Sequence, residues 1–173
     1  MGNTIKTIFS RRSVREFTKE DVSDDDITTI LECGCWAPSG LNNQPWKFVI
    51  IREQEKIRKL AECTRYTKTV LGANVLIAVY FDHETSYNRT KDIQAIGAAI
   101  QNMLLACDEL GLGAVWLGEI LNQEDDVNTI LNAPKNVELM AVIAIGHPVE
   151  KKRTSSRKGL EEVVFREDFN TKW

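Results

Sequence analysis

The sequence predicts one α/β or α+β domain in which a single layer of sheet is flanked by helices, and three observations lead there. Apolar runs of strand length stand at residues 46–52, 75–81 and 137–145, with a shorter one inside 111–118. About five segments of helical apolar spacing alternate with them, in the order helix, helix, strand, helix, strand, helix, strand, helix, strand. The chain has 173 residues, 43% of them hydrophobic, and no repeat, low-complexity stretch or linker divides it, so residues 1–173 are expected to form a single domain. Periodicity leaves the strand directions open.

In chain order, residues 3–10 set Ile5, Ile8 and Phe9 on one helical face, a short amphipathic helix that delivers the chain to Arg11. Met1 and Gly2 open like a myristoylation site, but Lys6 stands where that motif needs Ser or Thr. Ser23 is a helix N-cap, and Asp24, Asp25 and Asp26 face the positive end of the helix dipole. Ile27, Ile30, Leu31 and Cys35 are the expected buried stripe, and Pro38 ends the helix because its ring disfavours a helical Ala37. An amide-rich loop follows, and Pro45 introduces the strand at 46–52. A helix over 53–63 turns Ile57 and Leu60 inward. Residues 64–74 give no clear pattern and offer Arg65 and Lys68 as solitary cations. Residues 75–81 are apolar throughout, as a central strand buried on both faces requires.

Residues 83–89 form a polar loop, either surface decoration or a lid on the substrate side. The longest helix spans 90–110, with Ile93, Ile96, Ile100, Met103, Leu104, Cys107 and Leu110 at helical spacing. Its small residues Ala95, Gly97, Ala98 and Ala99 permit close helix approach, within the subunit or across a dimer. A short helix over 122–131 and a strand over 137–145 follow, closed by Gly146, His147 and Pro148, where His147 reads as a turn residue. Residues 151–158 are a basic run, either a solvated tail or a second group of cations for an anion bound at Arg11 and Arg12. Phe165, Phe169 and Trp173 make the tail too apolar to stand free, so it is expected to pack on the body or on a partner subunit.

Composition excludes several classes. With 22 Lys and Arg against 25 Asp and Glu, the net charge of −3 gives no reason to expect nucleic acid or a membrane surface. No apolar run reaches spanning length and no signal peptide precedes the first helix, so the expected location is the cytoplasm. Cys33, Cys35, Cys63 and Cys107 lack zinc spacing and are expected to be buried and reduced. Two His without a close pair make a metal site unexpected, and no Ser–His–Asp or Cys–His arrangement is legible.

Three polar groupings remain. Arg11, Arg12, Ser13 and Arg15 bring three guanidinium forks and a hydroxyl into five residues, the chemistry of oxyanion recognition; a solvated basic turn is the plainer alternative. Residues 36–46 hold two Trp, two Pro, two Asn, a Gln and a Ser, enough amides and flat apolar surface to surround a planar polar ligand. The basic run at 151–158 is the third. The glycines of 111–118 do not form a dinucleotide fingerprint, because they follow a helix and Trp116 stands where the third glycine belongs. Lacking side-chain catalysts, an enzyme of this kind would take its chemistry from a cofactor.

Residues 37–46 resemble the A-P-S-x-x-N-x-Q-P-W signature of the FMN-dependent nitroreductase family, and residues 11–17 resemble its R-R-S-x-R-x-F phosphate motif. The glycine-rich 111–118 segment and the tail at 160–164 are also similar to that family. The resemblance implies an α+β three-layer fold, a mostly antiparallel sheet flanked by helices, and an intertwined homodimer with FMN at two interface sites. By the same resemblance Arg11, Arg12 and Ser13 are expected at the FMN phosphate and ribityl chain, with Arg157 as a further phosphate ligand. Arg15, and less directly Lys68, are expected at the N1/O2 edge of the flavin ring. Pro38, Ser39, Gly40 and Asn42 are expected to reach the flavin of the other subunit, and the backbone amides of Leu117 and Gly118 to lie near N5 and O4. The implied reaction is ping-pong, NAD(P)H reducing FMN and a small oxidised acceptor such as a nitroaromatic or quinone taking the electrons, with no catalytic side chain and no metal. Alternatives are a flavin-storing dimer without turnover and a relative with other flavin chemistry. Without the long insertion of larger members, the pocket is expected to be open.

Overall fold

The computed structural model describes residues 3–173; Met1 and Gly2, and with them the myristoylation-like start, lie outside the described residues. Helices α1 (Asn3–Ser10) and α2 (Asp24–Cys35) precede strand β1 (Trp46–Ile51). Then come α3 (Gln54–Glu62), α4 (Thr67–Gly72), β2 (Val75–Asp82), α5 (Arg89–Glu109) and β3 (Gly113–Leu117). Helix α6 (Glu124–Leu131), strand β4 (Val137–Gly146) and the single turn α7 (Leu160–Val163) complete the order. The segment 64–74, which carried no pattern, forms α4: six residues are too few for periodicity to show.

The four strands lie in the order β1-β2-β4-β3, every neighbouring pair antiparallel. β2 is buried along its whole length, as its continuous apolar run requires. One face of the sheet, with Val75, Ile77, Val79 and Phe81, packs on α2 and α5; the other, with Leu76, Ala78 and Tyr80, packs on α3, α4 and α6. A bulge sets Val79 opposite Ala141 but Tyr80 opposite Leu139, which leaves Met140 as the extra residue. Residues 139 and 141 therefore serve opposite cores although their numbering alone would put them on one face.

Ser23 caps α2 by accepting from the Asp26 amide at 3.0 Å, and Asn88 caps α5 by accepting from the Lys91 amide at 3.2 Å. The buried stripe of α2 runs through Ile27, Ile30 and Gly34, not through Cys35. Gly34 meets α5 at Met103, whose Cγ lies 2.8 Å from where a Cβ would stand, so α2 seats on its glycine and Cys35 is turned outward. This corrects the expectation of four buried thiols: Cys35 is exposed and Cys33 half-buried, while Cys63 and Cys107 are buried and all four are unpaired. Burial pushes the Cys107 thiol up to about 12.

Helix α1 docks by its polar side. Thr7 is buried, whereas Ile5, Ile8 and Phe9 face outward. The tail also keeps to itself: its hydrogen bonds run within 159–173, the Phe165 and Phe169 rings meet edge to face, and Phe169 stays 87% exposed. Among the described residues no helix is long and apolar enough to cross a membrane.

Candidate functional site

The segment after α1 is held between two parts of the sheet layer. Ser13 bridges Ala114 in parallel, with the Val14 amide donating to the Ala114 carbonyl at 3.0 Å. On its other side Phe17 bridges Pro148, the Thr18 amide donates to the His147 carbonyl at 2.9 Å, and the Val149 amide donates to the Glu16 carbonyl at 3.1 Å. The chain leaving β4 is thereby laid beside residues 11–18, and Lys151 pairs with Glu16 at 2.9 Å. His147 is placed as a turn residue, its Nε2 3.2 Å from the Asp21 carbonyl.

This arrangement joins the basic group at residues 11–15 with the one at residues 151–158. Arg11, Arg12, Ser13 and Arg15 line one open pocket of about 240 Å³ together with Arg153, Thr154, Ser155 and Arg157. Of the ion pairs among the described residues, none engages Arg11, Arg12, Arg15, Arg153 or Arg157. A pocket of uncompensated guanidiniums with three hydroxyls suits a phosphate dianion. Arg153, Thr154 and Ser155 are lining residues that the motifs did not single out; the basic run in which they lie was the available signal.

The cations are not equivalent. Arg12 turns Nη1 back onto the carbonyls of Phe9, Ser10 and Arg11 at 2.7, 3.0 and 2.9 Å, closing the C-terminal end of α1. Arg153 donates to the Val149 carbonyl at 2.8 Å and so fixes the turn that carries it. Arg11 and Arg15 are freer, and Arg15 lies 5.8 Å over the ring of Tyr66, the residue that opens α4.

Leu117, Gly118 and Lys68 do not line the cationic pocket. Leu117 is buried at the end of β3, and Gly118 is exposed as the chain enters a 3-10 turn. Lys68 stands exposed on α4. Arg65, expected as a solitary cation, is instead paired: Glu119 takes its Nε at 3.2 Å and its amide at 3.0 Å, and also accepts from the Thr64 hydroxyl at 2.7 Å. These bonds lower the Glu119 carboxyl, with the Thr64 hydroxyl first among them. Thus Glu119 ties the start of α4 to the end of β3.

The amide-rich loop forms a second, separate surface, and none of Pro38, Ser39, Gly40 or Asn42 lines the cationic pocket. Ser39 accepts from the Gln44 amide at 3.0 Å, while Leu41, Asn42 and Gln44 all take positive φ near 50°. Trp36 and Leu41 are 87% and 85% exposed at its two shoulders. Asn43, which the motif leaves unspecified, donates to Asp92 at 2.8 Å and to the Thr85 carbonyl at 3.0 Å. Asp92 is fully buried at the start of α5. Burial pushes its carboxyl up, but hydrogen bonds from Asn43, Ser86 and the Asn88 and Tyr87 amides outweigh that and hold it low.

Comparison with known proteins adds to this geometry. The family model described as Nitroreductase family matches residues 8–65 and 62–147. A crystal structure of a candidate nitroreductase of Desulfovibrio desulfuricans in complex with FMN superposes with a TM-score of 0.91 at 48% identity, covering 98% of this chain and 99% of that one. A candidate NADH dehydrogenase/NAD(P)H nitroreductase of Archaeoglobus fulgidus is 34% identical over 88% of this chain and 89% of its own length. The NADPH-flavin oxidoreductase of Vibrio harveyi is 29% identical over 98% of this chain and 75% of its own length.

Proposed function

This chain belongs to the nitroreductase family, and from that premise we propose that it works as a homodimeric FMN enzyme passing hydride from NAD(P)H to a small oxidised acceptor. It is an FMN-dependent oxidoreductase of that family, as the FMN complex at 48% identity and the flavin reductases among its relatives support. Bound FMN supplies the hydride chemistry, accepting from the nicotinamide and giving to the acceptor.

The observation that carries the reading is the pocket where Arg11 and Arg157, from opposite ends of the chain, stand without carboxylate partners among the described residues. In the proposed site Arg11, Ser13 and Arg157 hold the phosphate by charge-assisted hydrogen bonds. Arg12 closes α1 and sets the direction of that segment. Ser13 bridges Ala114 of β3, and Arg15, two residues on, lies over Tyr66 at the start of α4. In the proposed site the Arg15 charge would stabilise negative charge at the N1/O2 edge, with Lys68 as a second cation on α4. The Leu117 and Gly118 amides would orient the N5 edge of the ring. Pro38, Ser39, Gly40 and Asn42, outside the cationic pocket of their own chain, serve the site of the other subunit. The outward apolar face of α1, Trp36, Leu41 and the tail supply the surface for that dimer.

The test is an anaerobic absorbance spectrum of the purified protein before and after NADH, then NADPH. A flavin spectrum that bleaches within the mixing time with one donor is the expected result and names that donor. Bound flavin that stays oxidised with both would replace turnover by storage or by another electron source.

A further inference from the structure

We propose that Asp92 is a positioning residue for the flavin-facing loop at 38–44, acting through Asn43 and Tyr87; this rests on the reading of that loop as an FMN contact. The loop is built against its own preferences. Three non-glycine residues, Leu41, Asn42 and Gln44, sit at φ of 54°, 54° and 48°, in the left-handed region that ordinary side chains avoid. Such a backbone persists only where the surroundings impose it. It also carries no charged side chain, so no ion pair within it does so.

Two tethers hold it, and both involve one carboxylate, although Asn43 also donates to the Thr85 carbonyl at 3.0 Å. Asn43 Nδ2 donates to Asp92 Oδ1 at 2.8 Å from inside the loop. Asp92 Oδ2 accepts from the Tyr87 amide at 3.2 Å, the Asn88 amide at 3.1 Å and the Ser86 hydroxyl at 2.8 Å, which fixes the turn leading into α5. That turn carries the Tyr87 phenol over Gly40, where a Cβ would overlap the hydroxyl oxygen. A side chain at residue 40 would displace the Tyr87 ring, so the absence of one is what lets the phenol lie against the loop. Asp92 is buried with four donors and makes no ion pair among the described residues, so every bond it accepts organises backbone around the loop. A buried charge-assisted bond holds its donor more tightly than a neutral one.

The experiment titrates apoprotein with FMN and, separately, with riboflavin, in the wild type, Asn43→Ala and Ser86→Ala. Asn43→Ala cuts the bonds from the loop to Asp92 and to the Thr85 carbonyl and leaves the three bonds of Asp92 to the turn, so Asp92→Asn is needed beside it to assign the effect to the carboxylate. Because the loop has no charge to offer a phosphate, both ligands are expected to weaken by the same factor, about tenfold, with the thermal midpoint of the apoprotein little changed. Ser86→Ala, which removes one of three donors on the turn side, is expected to weaken both ligands in the same proportion and less than Asn43→Ala. Asp92→Asn is the second variant, expected to weaken both ligands in the same proportion. Wild-type affinity for both flavins in Asn43→Ala overturns the inference while leaving the FMN reading intact. A loss for FMN that riboflavin does not share also overturns it, by moving the effect to the phosphate. A wild-type protein that binds neither flavin overturns the FMN reading and this inference with it.

Discussion

Thr7 Oγ1 donates to Glu109 Oε2 at 2.9 Å, and with the bond from Ser10 to Asp108 at 3.1 Å this fastens α1 to the end of α5 by hydroxyls. An amphipathic helix held by its polar side must present its apolar side elsewhere, and Ile5, Ile8 and Phe9 face out. On the other side of α1, an open groove of about 500 Å³ between α1, α2 and α5 is lined by Thr4, Thr7, Cys33, Trp36, Leu105 and Ala106. A lone chain with so much apolar surface would be poorly soluble.

The chain is therefore expected to run in light scattering at twice its 19.6 kDa mass. Phe9→Asp, which places a charge on the exposed face without touching the core, should shift it toward the monomer. It should also weaken FMN, because in the proposed site the loop contacts come from the other subunit. A wild-type monomer that binds FMN fully would sink the shared-site arrangement.

The cationic pocket makes a prediction in which the arginines differ. In the proposed site Arg11→Ala and Arg157→Ala would each remove a charge-assisted bond worth roughly 1.5–3 kcal/mol, so FMN affinity should fall on the order of 10- to 100-fold, with riboflavin much less affected. Arg12→Ala removes three bonds to the end of α1 instead. It should lower the thermal midpoint more than the other two and discriminate less between the ligands. Equal losses for FMN and riboflavin in Arg11→Ala would remove that residue from the phosphate.

Much of the architecture was legible because it rests on local signals. The Ser23 cap, the unbroken apolar run of β2 and the helical spacing of α5 each appear where their chemistry dictates. Strand order and direction were not legible, since pairing joins residues far apart, as Val75 with Ile145. The stripe of α2 was misassigned to Cys35 because hydrophobicity favours a thiol over a glycine, while close packing on Met103 favours the glycine. The two basic groups were visible as separate runs, but their meeting depends on how residues 13–18 thread between β3 and Pro148. Asp92 gave no signal beyond being an acid in the first turn of a helix, and its four donors come from two loops.

Acid should weaken the fold in a definite window. The Asp92 carboxyl is held below its ordinary 3.8 and that of Glu119 below its ordinary 4.5. For a group lowered in the folded state, the unfolded chain takes up the proton first, so its contribution is complete above the ordinary value and disappears as pH falls through the folded one. Urea midpoints should then be level between about pH 7 and 5.5, by the usual tailing of such titrations, and fall below that. Asp92→Asn, whatever its effect at neutral pH, should show a shallower acid decline. An unchanged acid profile in that variant would mean that Asp92 titrates alike in both states.

Arg15 offers a test of the flavin's orientation that does not depend on affinity. Its guanidinium is held over Tyr66 at 5.8 Å and makes no ion pair among the described residues, so its charge is available to the ring edge in the proposed site. A charge near the N1/O2 edge favours the reduced, anionic flavin over the neutral oxidised one, and its removal should make reduction harder. Arg15 is exposed, so water screens the interaction to about 1 kcal/mol. That corresponds to a two-electron midpoint lower by on the order of 20 mV in Arg15→Ala. Lys68→Ala should lower it less, because an exposed lysine on a six-residue helix is less well fixed. Glu119→Gln, which loosens the tie between Arg65 and the end of β3, should soften the position of Tyr66 and move the potential in the same direction as Arg15→Ala. A midpoint unmoved in Arg15→Ala, with FMN still bound, would place that edge of the flavin elsewhere.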